Sequence, residues 1–178
     1  KVSVYIAMSL DGFIARDNGG LYLLPGAQQG DTGNRDSRNE DYRYHEFIDS
    51  VDVLFMERNT YESFLALTNG SKRVVVLSSP SIQIPNDQAR TIESKTSSPA
   101  DLVKELWESG AKHLFINGGE TIQGFLNAGS IQEIVITRIP SLIGSGIPLF
   151  GPLSTEGSEL TFELVHLIMD SYKASTRL

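Results

Sequence analysis

The chain has 178 residues, 40% hydrophobic and 21% charged, which is typical of one globular domain and excludes a disordered or fibrous protein. A formal net charge of −7 argues against a nucleic-acid partner, which needs a basic surface, and the absence of cysteine excludes disulfides and thiolate chemistry. No apolar run is long enough for a membrane span, and no signal-peptide pattern begins the chain. We therefore expect one cytoplasmic domain over residues 1–178, without a membrane partner.

Patterns in the first half of the chain predict strands alternating with helices. Alternating β-branched residues over 2–8 predict a strand that ends at the turn sequence Ser9-Leu10-Asp11-Gly12. The polar, glycine-rich stretch 16–39 is long for a connection, which favours a ligand-covering loop over a simple linker. Apolar residues at helical spacing predict a helix over 40–51. Apolar runs predict buried strands at 53–56 and 74–77, and Asn59 with Glu62 predicts the capped start of a helix between them.

In the second half, Ser98-Pro99 predicts a helix start, and that helix should end at Gly110. A strand over 113–116, a helix that closes at Gly129 and a strand over 131–139 follow. Residues 160–169 and 172–178 are expected to form a terminal antiparallel hairpin. Because continuous apolar strands alternate with helices, we predict a three-layer α/β/α domain with a mostly parallel sheet. The strands after residue 130 lack intervening helices, so that end of the sheet should be antiparallel.

Three strand ends carry candidate ligand-binding residues, since open α/β sheets bind ligands where strands end and helices begin. The first candidate is the segment Asn117-Gly118-Gly119-Glu120-Thr121. Its two glycines could allow a phosphate to approach the backbone closely, or they could serve only to form a tight turn. Arg58 could pair with a phosphate or lie in solvent. Ser78 and Ser79 could offer hydroxyl groups to a ligand or form a turn.

Taken in chain order, the motifs resemble those of the dihydrofolate reductase-like fold. They are residues 7–15, Arg58-x-Thr60-Tyr61-Glu62, Leu77-Ser78-Ser79, Gly118-Gly119 and Pro148-Leu149-Phe150-Gly151. The chain is most similar to the carboxyl-terminal reductase domain of the bifunctional riboflavin-biosynthesis deaminase–reductase, over nearly its whole length. This resemblance implies an NADPH-dependent reductase that acts on a pterin- or pyrimidine-type small molecule, and it implies a homodimer.

The resemblance also implies roles for individual residues. It assigns pyrophosphate contacts to the segment Asn117, Gly118, Gly119, Glu120 and Thr121. It places Arg58 and Thr60 near the adenosine phosphates, Ser78 and Ser79 at the 2′-phosphate, and Ala7 and Ile14 at the nicotinamide. For the proton donor it favours Asp41, with Glu40 beside it, although both could be ordinary acids of a helix start. The three histidines are isolated and no carboxylate–histidine cluster has metal spacing, so we expect no metal.

The sequence departs from the family pattern at two places. Glu57 stands where members carry glycine before the arginine, and a carboxylate beside a pyrophosphate is repulsive unless it points away, for example toward Lys72 or Arg73. Tyr22-Leu23-Leu24-Pro25 lacks the acid and the tryptophan that usually precede leucine and proline. These departures favour an alternative function, a nucleotide-binding module of the same fold without efficient turnover.

Overall fold

The computed structural model describes residues 1–17, 44–58, 60–61, 72–84, 91–152 and 161–163. The predicted loop over 16–39, the cap formed by Asn59 and Glu62, and the acids Glu40 and Asp41 lie wholly or mostly outside these residues, as does the terminal hairpin. Among the described residues, no helix has the length and apolar character that a membrane span requires. The elements in chain order are β1 (Val2–Ser9), β2 (Phe13–Ala15), α1 (Tyr44–Ser50), β3 (Val53–Glu57), β4 (Arg73–Leu77), β5 (Ile92–Lys95), α2 (Pro99–Glu108), β6 (Leu114–Ile116), α3 (Gly119–Asn127), β7 (Glu133–Ile139) and β8 (Ile147–Pro148).

Six strands form one sheet in the order β5-β4-β3-β6-β1-β7, and every neighbouring pair is parallel. The prediction of a mostly parallel sheet is confirmed. The expected antiparallel direction after residue 130 is wrong for β7, which lies parallel to β1 with Ser3 opposite Glu133. The reason is that α3 connects β6 to β7 as a crossover helix. It returns the chain to the edge of the sheet at which the parallel strands begin.

Strand β5 was not predicted from the sequence. Its residues Ile92-Glu93-Ser94-Lys95 contain one buried side chain, that of Ile92, and three partly buried polar ones. Within the described part of the chain it pairs with β4 alone, so that Val74 lies opposite Ile92. An outer strand is less buried than a central one, so it does not need a continuous apolar run. Its sequence pattern therefore resembles that of a loop.

Side chains along each strand alternate between two hydrophobic clusters. Val53 and Phe55 of β3 belong to the cluster that contains Leu102 and Leu106 of α2 and Phe125 of α3. Leu54 and Met56 belong to the other cluster, against which Phe47 and Ile48 of α1 pack. Because successive side chains of a strand point to opposite faces of the sheet, the two clusters lie on opposite sides of it. The three-layer α/β/α architecture is thus confirmed.

Helix α2 begins where Ser98 and Pro99 predicted. The N–H of Asp101 donates to Oγ of Ser98 at 3.2 Å, which satisfies one of the free donors of the first turn. Leu102, Val103 and Leu106 are buried on the face that meets the sheet. The N-terminus of this helix is therefore fixed near the carboxyl end of β5, with its cap Ser98 three residues after Lys95.

Strands β2 and β8 form a separate antiparallel pair in which Phe13 lies opposite Pro148. The Asp11 carboxylate holds the loop before β8, because it accepts hydrogen bonds from the N–H groups of Ile143 and Gly144. The hydroxyl of Ser9 also donates to Asp11, at 2.6 Å. These bonds to the charged form lower the pKa of Asp11, that of Ser9 most, and they place β8 beside the start of α3.

Candidate functional site

A cavity of about 290 Å³ opens at the carboxyl ends of β3, β4 and β5, against the first turns of α2 and α3. The strand ends contribute Glu57, Ser78, Ser79 and Lys95 to its wall, and α3 contributes Glu120 and Thr121. The edge of a parallel sheet where strands give way to helices is the usual ligand-binding position in this class of fold. Four of the residues predicted to bind a cofactor therefore line one cavity.

The glycine pair forms the turn between β6 and α3. The N–H of Asn117 donates to the carbonyl oxygen of Phe55 at 2.8 Å, and the N–H of Gly118 donates to Oδ1 of Asn117 at 2.9 Å. Gly118 has φ +95° and ψ 137°, a backbone conformation that residues with a Cβ rarely adopt. Among the described residues no side-chain hydrogen bond caps α3, and a helix start of this kind presents backbone N–H donors that can bind an anion.

The two glycines are required for different reasons. Only Gly118 has a positive φ, whereas Gly119 is restricted by its neighbours. A Cβ built on Gly119 would lie 2.5 Å from Cγ2 of Ile147 in β8 and 3.3 Å from Cδ1 of Ile14 in β2. The β2–β8 pair thus packs directly on the helix start, which a residue larger than glycine would push away.

Glu57 faces this turn. A Cβ built on Gly118 would lie 3.1 Å from Cγ of Glu57, 3.2 Å from its Cδ and 3.1 Å from Oγ1 of Thr60. The Thr60 hydroxyl donates to Oε1 of Glu57 at 3.3 Å. The carboxyl group therefore fills the space that the missing side chain of Gly118 leaves open.

The expectation that Glu57 could point away toward Lys72 or Arg73 is wrong. Nζ of Lys72 donates to the carbonyl oxygens of Asp49 and Val51, at the opposite end of β3. Arg73 pairs with Glu93 across β4 and β5 at 2.7 Å. Both cations lie at the amino-terminal ends of the strands, whereas Glu57 is the last residue of β3, so parallel register keeps them apart.

The electrostatic environment of Glu57 disfavours its charged form. Partial burial raises its pKa, and the negative charge of Glu120 raises it further, while the hydrogen bond from Thr60 acts in the opposite direction. Two acidic side chains thus share the wall next to the uncapped start of α3. The carboxyl of Glu57 keeps its proton to a higher pH than an ordinary glutamate.

Among the described residues that line the cavity, Lys95 is the one cation, and it was not predicted from the sequence. It lies at the end of β5, forms an ion pair with Glu105 of α2 and lies 3.6 Å from Glu93. The hydrogen bond to Glu105 raises its pKa most, so it stays charged. The run Lys95-Thr96-Ser97 before a helix start is the same kind of signal as Ser78-Ser79, but it is recognisable only once β5 is known to be a strand.

Ser78 already has a partner within its own turn. Its hydroxyl donates to the carbonyl oxygen of Pro80 at 2.7 Å, and its N–H donates to the carbonyl oxygen of Lys95 at 3.2 Å. Ser79 is exposed beside it, and both line the cavity. Ser78 thus forms a turn, which was the alternative to a ligand-binding role. Of the two serine hydroxyls, that of Ser79 is the more accessible to a ligand.

The remaining predicted residues lie in different places. Arg58 and Thr60 lie in the helical turn after β3, where Arg58 is exposed and Thr60 contacts Glu57. Ile14 is buried beside Gly119, at the rear of the turn. By the alternation of β1, Ala7 faces the α1 side of the sheet with Tyr5, away from the cavity. The candidate proton donors Asp41 and Glu40 lie outside the described residues.

Comparison with solved structures defines the class of fold. A crystal structure of a candidate riboflavin biosynthesis protein from Shewanella sp. PV-4 superposes with a TM-score of 0.79 at 35% identity, covering 93% of this chain and 89% of that one. The Thermotoga maritima diaminohydroxyphosphoribosylaminopyrimidine deaminase/5-amino-6-(5-phosphoribosylamino)uracil reductase superposes with a TM-score of 0.64 at 16% identity, over 96% of this chain and 54% of that one. The chain has a dihydrofolate reductase-like fold, as the sequence motifs predicted.

The family follows from the sequence match. The chain belongs to the RibD C-terminal domain family, whose model matches residues 1–173. It is also 30% identical over 161 residues to the uncharacterized protein YwjB of Bacillus subtilis (strain 168), covering 88% of this chain and 86% of that protein. The family is known for reductase activity in riboflavin biosynthesis, which assigns the chain to the oxidoreductases. In the described part of the chain, no group of three or more His, Asp or Glu side chains could hold a metal ion.

Proposed function

We propose that this chain is an NADPH-dependent reductase that transfers hydride to a pterin- or pyrimidine-type ring, most like 5-amino-6-(5-phosphoribosylamino)uracil reductase. The observation that supports it best is the Gly118–Gly119 turn, a buried glycine pair at an uncapped helix start beside a cavity, in a chain of a reductase family. Dihydrofolate is the second substrate to test, because it carries a ring of the same chemical type.

The residues present fit a dinucleotide phosphate in most respects. The first N–H groups of α3 can donate to phosphate oxygens, and Gly118 carries no side chain of its own beside them. Lys95 and Ser79 lie across the same cavity, where a second phosphate could meet a cation and a hydroxyl. When bound, the cofactor would supply the hydride, and the chain would bind, orient and shield it from water.

The cavity residues favour NADPH over NADH. Charge-assisted contacts to a 2′-phosphate contribute about 1.5–3 kcal/mol, so NADPH should bind roughly ten- to a hundredfold more tightly. Calorimetric titration with both cofactors tests this preference. Ser79→Ala should weaken NADPH binding and leave NADH binding unchanged, whereas Ser81→Ala, an exposed serine outside the cavity wall, should change neither. Equal affinities for the two cofactors in the wild type would contradict the assignment.

Asp41, with Glu40 as the neighbouring candidate, is our proposed proton donor to the reduced ring. Asp41→Asn should retain NADPH binding and lose turnover, because the amide cannot supply the proton. Glu40→Gln is the matched comparison, since it removes a neighbouring carboxylate of the same predicted helix. If Glu40→Gln alone abolishes turnover, the two roles are exchanged. If neither substitution slows the reaction, the proton comes from another group.

Glu57 favours a second candidate function, a nucleotide-binding module without efficient turnover. Its carboxyl occupies the space over Gly118 that a cofactor phosphate would approach. Loss of dihydronicotinamide absorbance, followed with a panel of pterins and ribosylaminopyrimidines, separates the two functions. Turnover supports the reductase, and tight NADPH binding with no turnover of any substrate in the panel supports the module. A chain that binds no nucleotide at all would refute both.

A further inference from the structure

The carboxyl group of Glu57 lies where a phosphate held by the Gly118 turn would have to approach. Its Cγ and Cδ are 3.1 and 3.2 Å from the point where a Cβ of Gly118 would stand. Oγ1 of Thr60 holds Oε1 of Glu57 in this position at 3.3 Å. A ligand phosphate on this face of the turn would therefore contact the carboxyl directly.

The surroundings of Glu57 offer little compensation for a negative charge. Glu120 of α3 faces it from the helix start, and the neutral Thr60 hydroxyl faces it from the turn after β3. Arg58, the next residue, is exposed, and Lys95 across the cavity is already paired with Glu105 and Glu93. Among the ion pairs of the described residues, none involves Glu57.

The protonation state of Glu57 decides whether it repels or binds a phosphate. An ionised carboxylate has only hydrogen-bond acceptors, as phosphate oxygens do, so the two groups face each other with like charge and no shared proton. A protonated carboxyl has an O–H that can donate to a phosphate oxygen, a short and strong type of hydrogen bond. The same side chain is thus an obstacle in one state and a ligand contact in the other.

We propose that Glu57 takes up a proton when the cofactor binds, and that its protonated carboxyl donates a hydrogen bond to the phosphate held at the Gly118 turn. The proton comes from solvent and returns to it on release of the nucleotide, so no other reactant is needed. This inference rests on the proposed function, since it takes a nicotinamide dinucleotide phosphate as the occupant. The raised pKa of Glu57 supports it, because burial and Glu120 have already moved the group toward the neutral form.

The direct test is calorimetric titration of the full chain with NADP⁺, which tolerates acid better than NADPH. Titrations in buffers of different ionisation enthalpy measure the protons taken up on binding. We expect an uptake at Glu57 that approaches about one proton, and an affinity that falls by up to about tenfold per pH unit above the pKa of free Glu57. The useful range runs from about pH 5 to about pH 8.

Three variants separate the contribution of Glu57 from that of the 2′-phosphate, which titrates in the same range. Glu57→Gln keeps the shape and an N–H donor, so it should bind more tightly than the wild type at the alkaline end and lose the uptake assigned to Glu57. Glu120→Gln removes the neighbouring charge, so the uptake should remain and its pH window should move to lower pH. Glu57→Gly should also lose the proton uptake assigned to Glu57, and it replaces Glu57→Gln in the test if that variant folds poorly.

The outcomes distinguish this inference from the function on which it rests. If the wild type and both Glu57 variants bind NADP⁺ with the same proton uptake and the same pH dependence, Glu57 does not take up the proton and the inference is overturned, while the reductase function stands. If the wild type and the variants bind neither NADP⁺ nor NADPH at any pH, the proposed function fails and the inference fails with it.

Discussion

Substitution of Gly119 by alanine tests the packing between the start of α3 and the β2–β8 pair. The added Cβ would lie 2.5 Å from Cγ2 of Ile147, whereas carbon atoms in contact prefer about 3.5 Å. Ile147 must therefore retreat by about 1 Å. Cγ2 is attached directly to the Cβ of Ile147 and cannot swing aside without a rotamer change, so strand β8 itself has to move.

The expected cost follows from this geometry. Forcing one extra methyl group into a packed interior destabilises a protein by about 1–3 kcal/mol. Gly124→Ala in the same helix is the control, because the nearest atom to its added Cβ is Cγ of Pro99 at 3.9 Å, an ordinary contact. In the interior of a helix, alanine is favoured over glycine by about 0.5–1 kcal/mol. The two substitutions should thus change the free energy of unfolding in opposite directions.

Urea denaturation of a double-mutant cycle provides the assay. Ile147→Ala removes Cγ2, and since Ile147 is partly buried it should cost about 1–2 kcal/mol by itself. In the double variant Gly119→Ala/Ile147→Ala, the methyl group of residue 119 occupies the vacated space. We expect the double variant to be more stable than the sum of the single effects predicts, by about 1–3 kcal/mol.

Additivity of the two substitutions would refute this reasoning. If the coupling energy is below about 0.5 kcal/mol, the Cβ of residue 119 does not meet Ile147, and the glycine is not required for packing against β8. A Gly119→Ala variant as stable as Gly124→Ala would lead to the same conclusion. A changed denaturant slope in the single variant would instead indicate a more compact or expanded unfolded state, and the cycle would then be evaluated from thermal unfolding.

The remaining predictions concern the turn, the helix start and pH. Gly118→Ala should destabilise the folded protein by about 1–3 kcal/mol, because residue 118 has a positive φ, and it should also abolish NADPH binding, because the added Cβ meets Glu57. Gly110→Ala is the control, since Gly110 has the same φ of +95° but no atom lies within 4 Å of its added Cβ. It should lower stability and leave NADPH binding intact. Ser98→Ala should cost about 1 kcal/mol in urea denaturation, since it removes the cap of α2. The pKa of Asp11 is lowered in the folded state, so its carboxylate stabilises the fold above its ordinary pKa of 3.8, and this contribution is lost as pH falls through the lowered value. The difference in unfolding free energy between the wild type and Asp11→Asn should therefore become smaller in acid. A difference that stays constant with pH would contradict this prediction.

Most of the central sheet could be predicted from the sequence, because buried parallel strands leave a continuous apolar pattern. The runs that form β3, β4 and β6 are of this kind, and the start of α2 is marked by Ser98 and Pro99. Outer strand β5 has no such pattern, and the direction of β7 depends on how α3 returns the chain. With β5 missed, Lys95 could not be placed in the cavity.

The candidate site shows the same division. Local patterns of residue type were enough to predict that Gly118 and Gly119 form a strand-to-helix turn and that Ser78 and Ser79 end a parallel strand. The folded chain was needed to show that Glu57 lies over Gly118 and not beside Lys72 or Arg73, and that Ile147 excludes a side chain at Gly119. A side chain's surroundings depend on the register of neighbouring strands and on contacts between segments far apart in the chain. The order of residues along one segment does not contain that information.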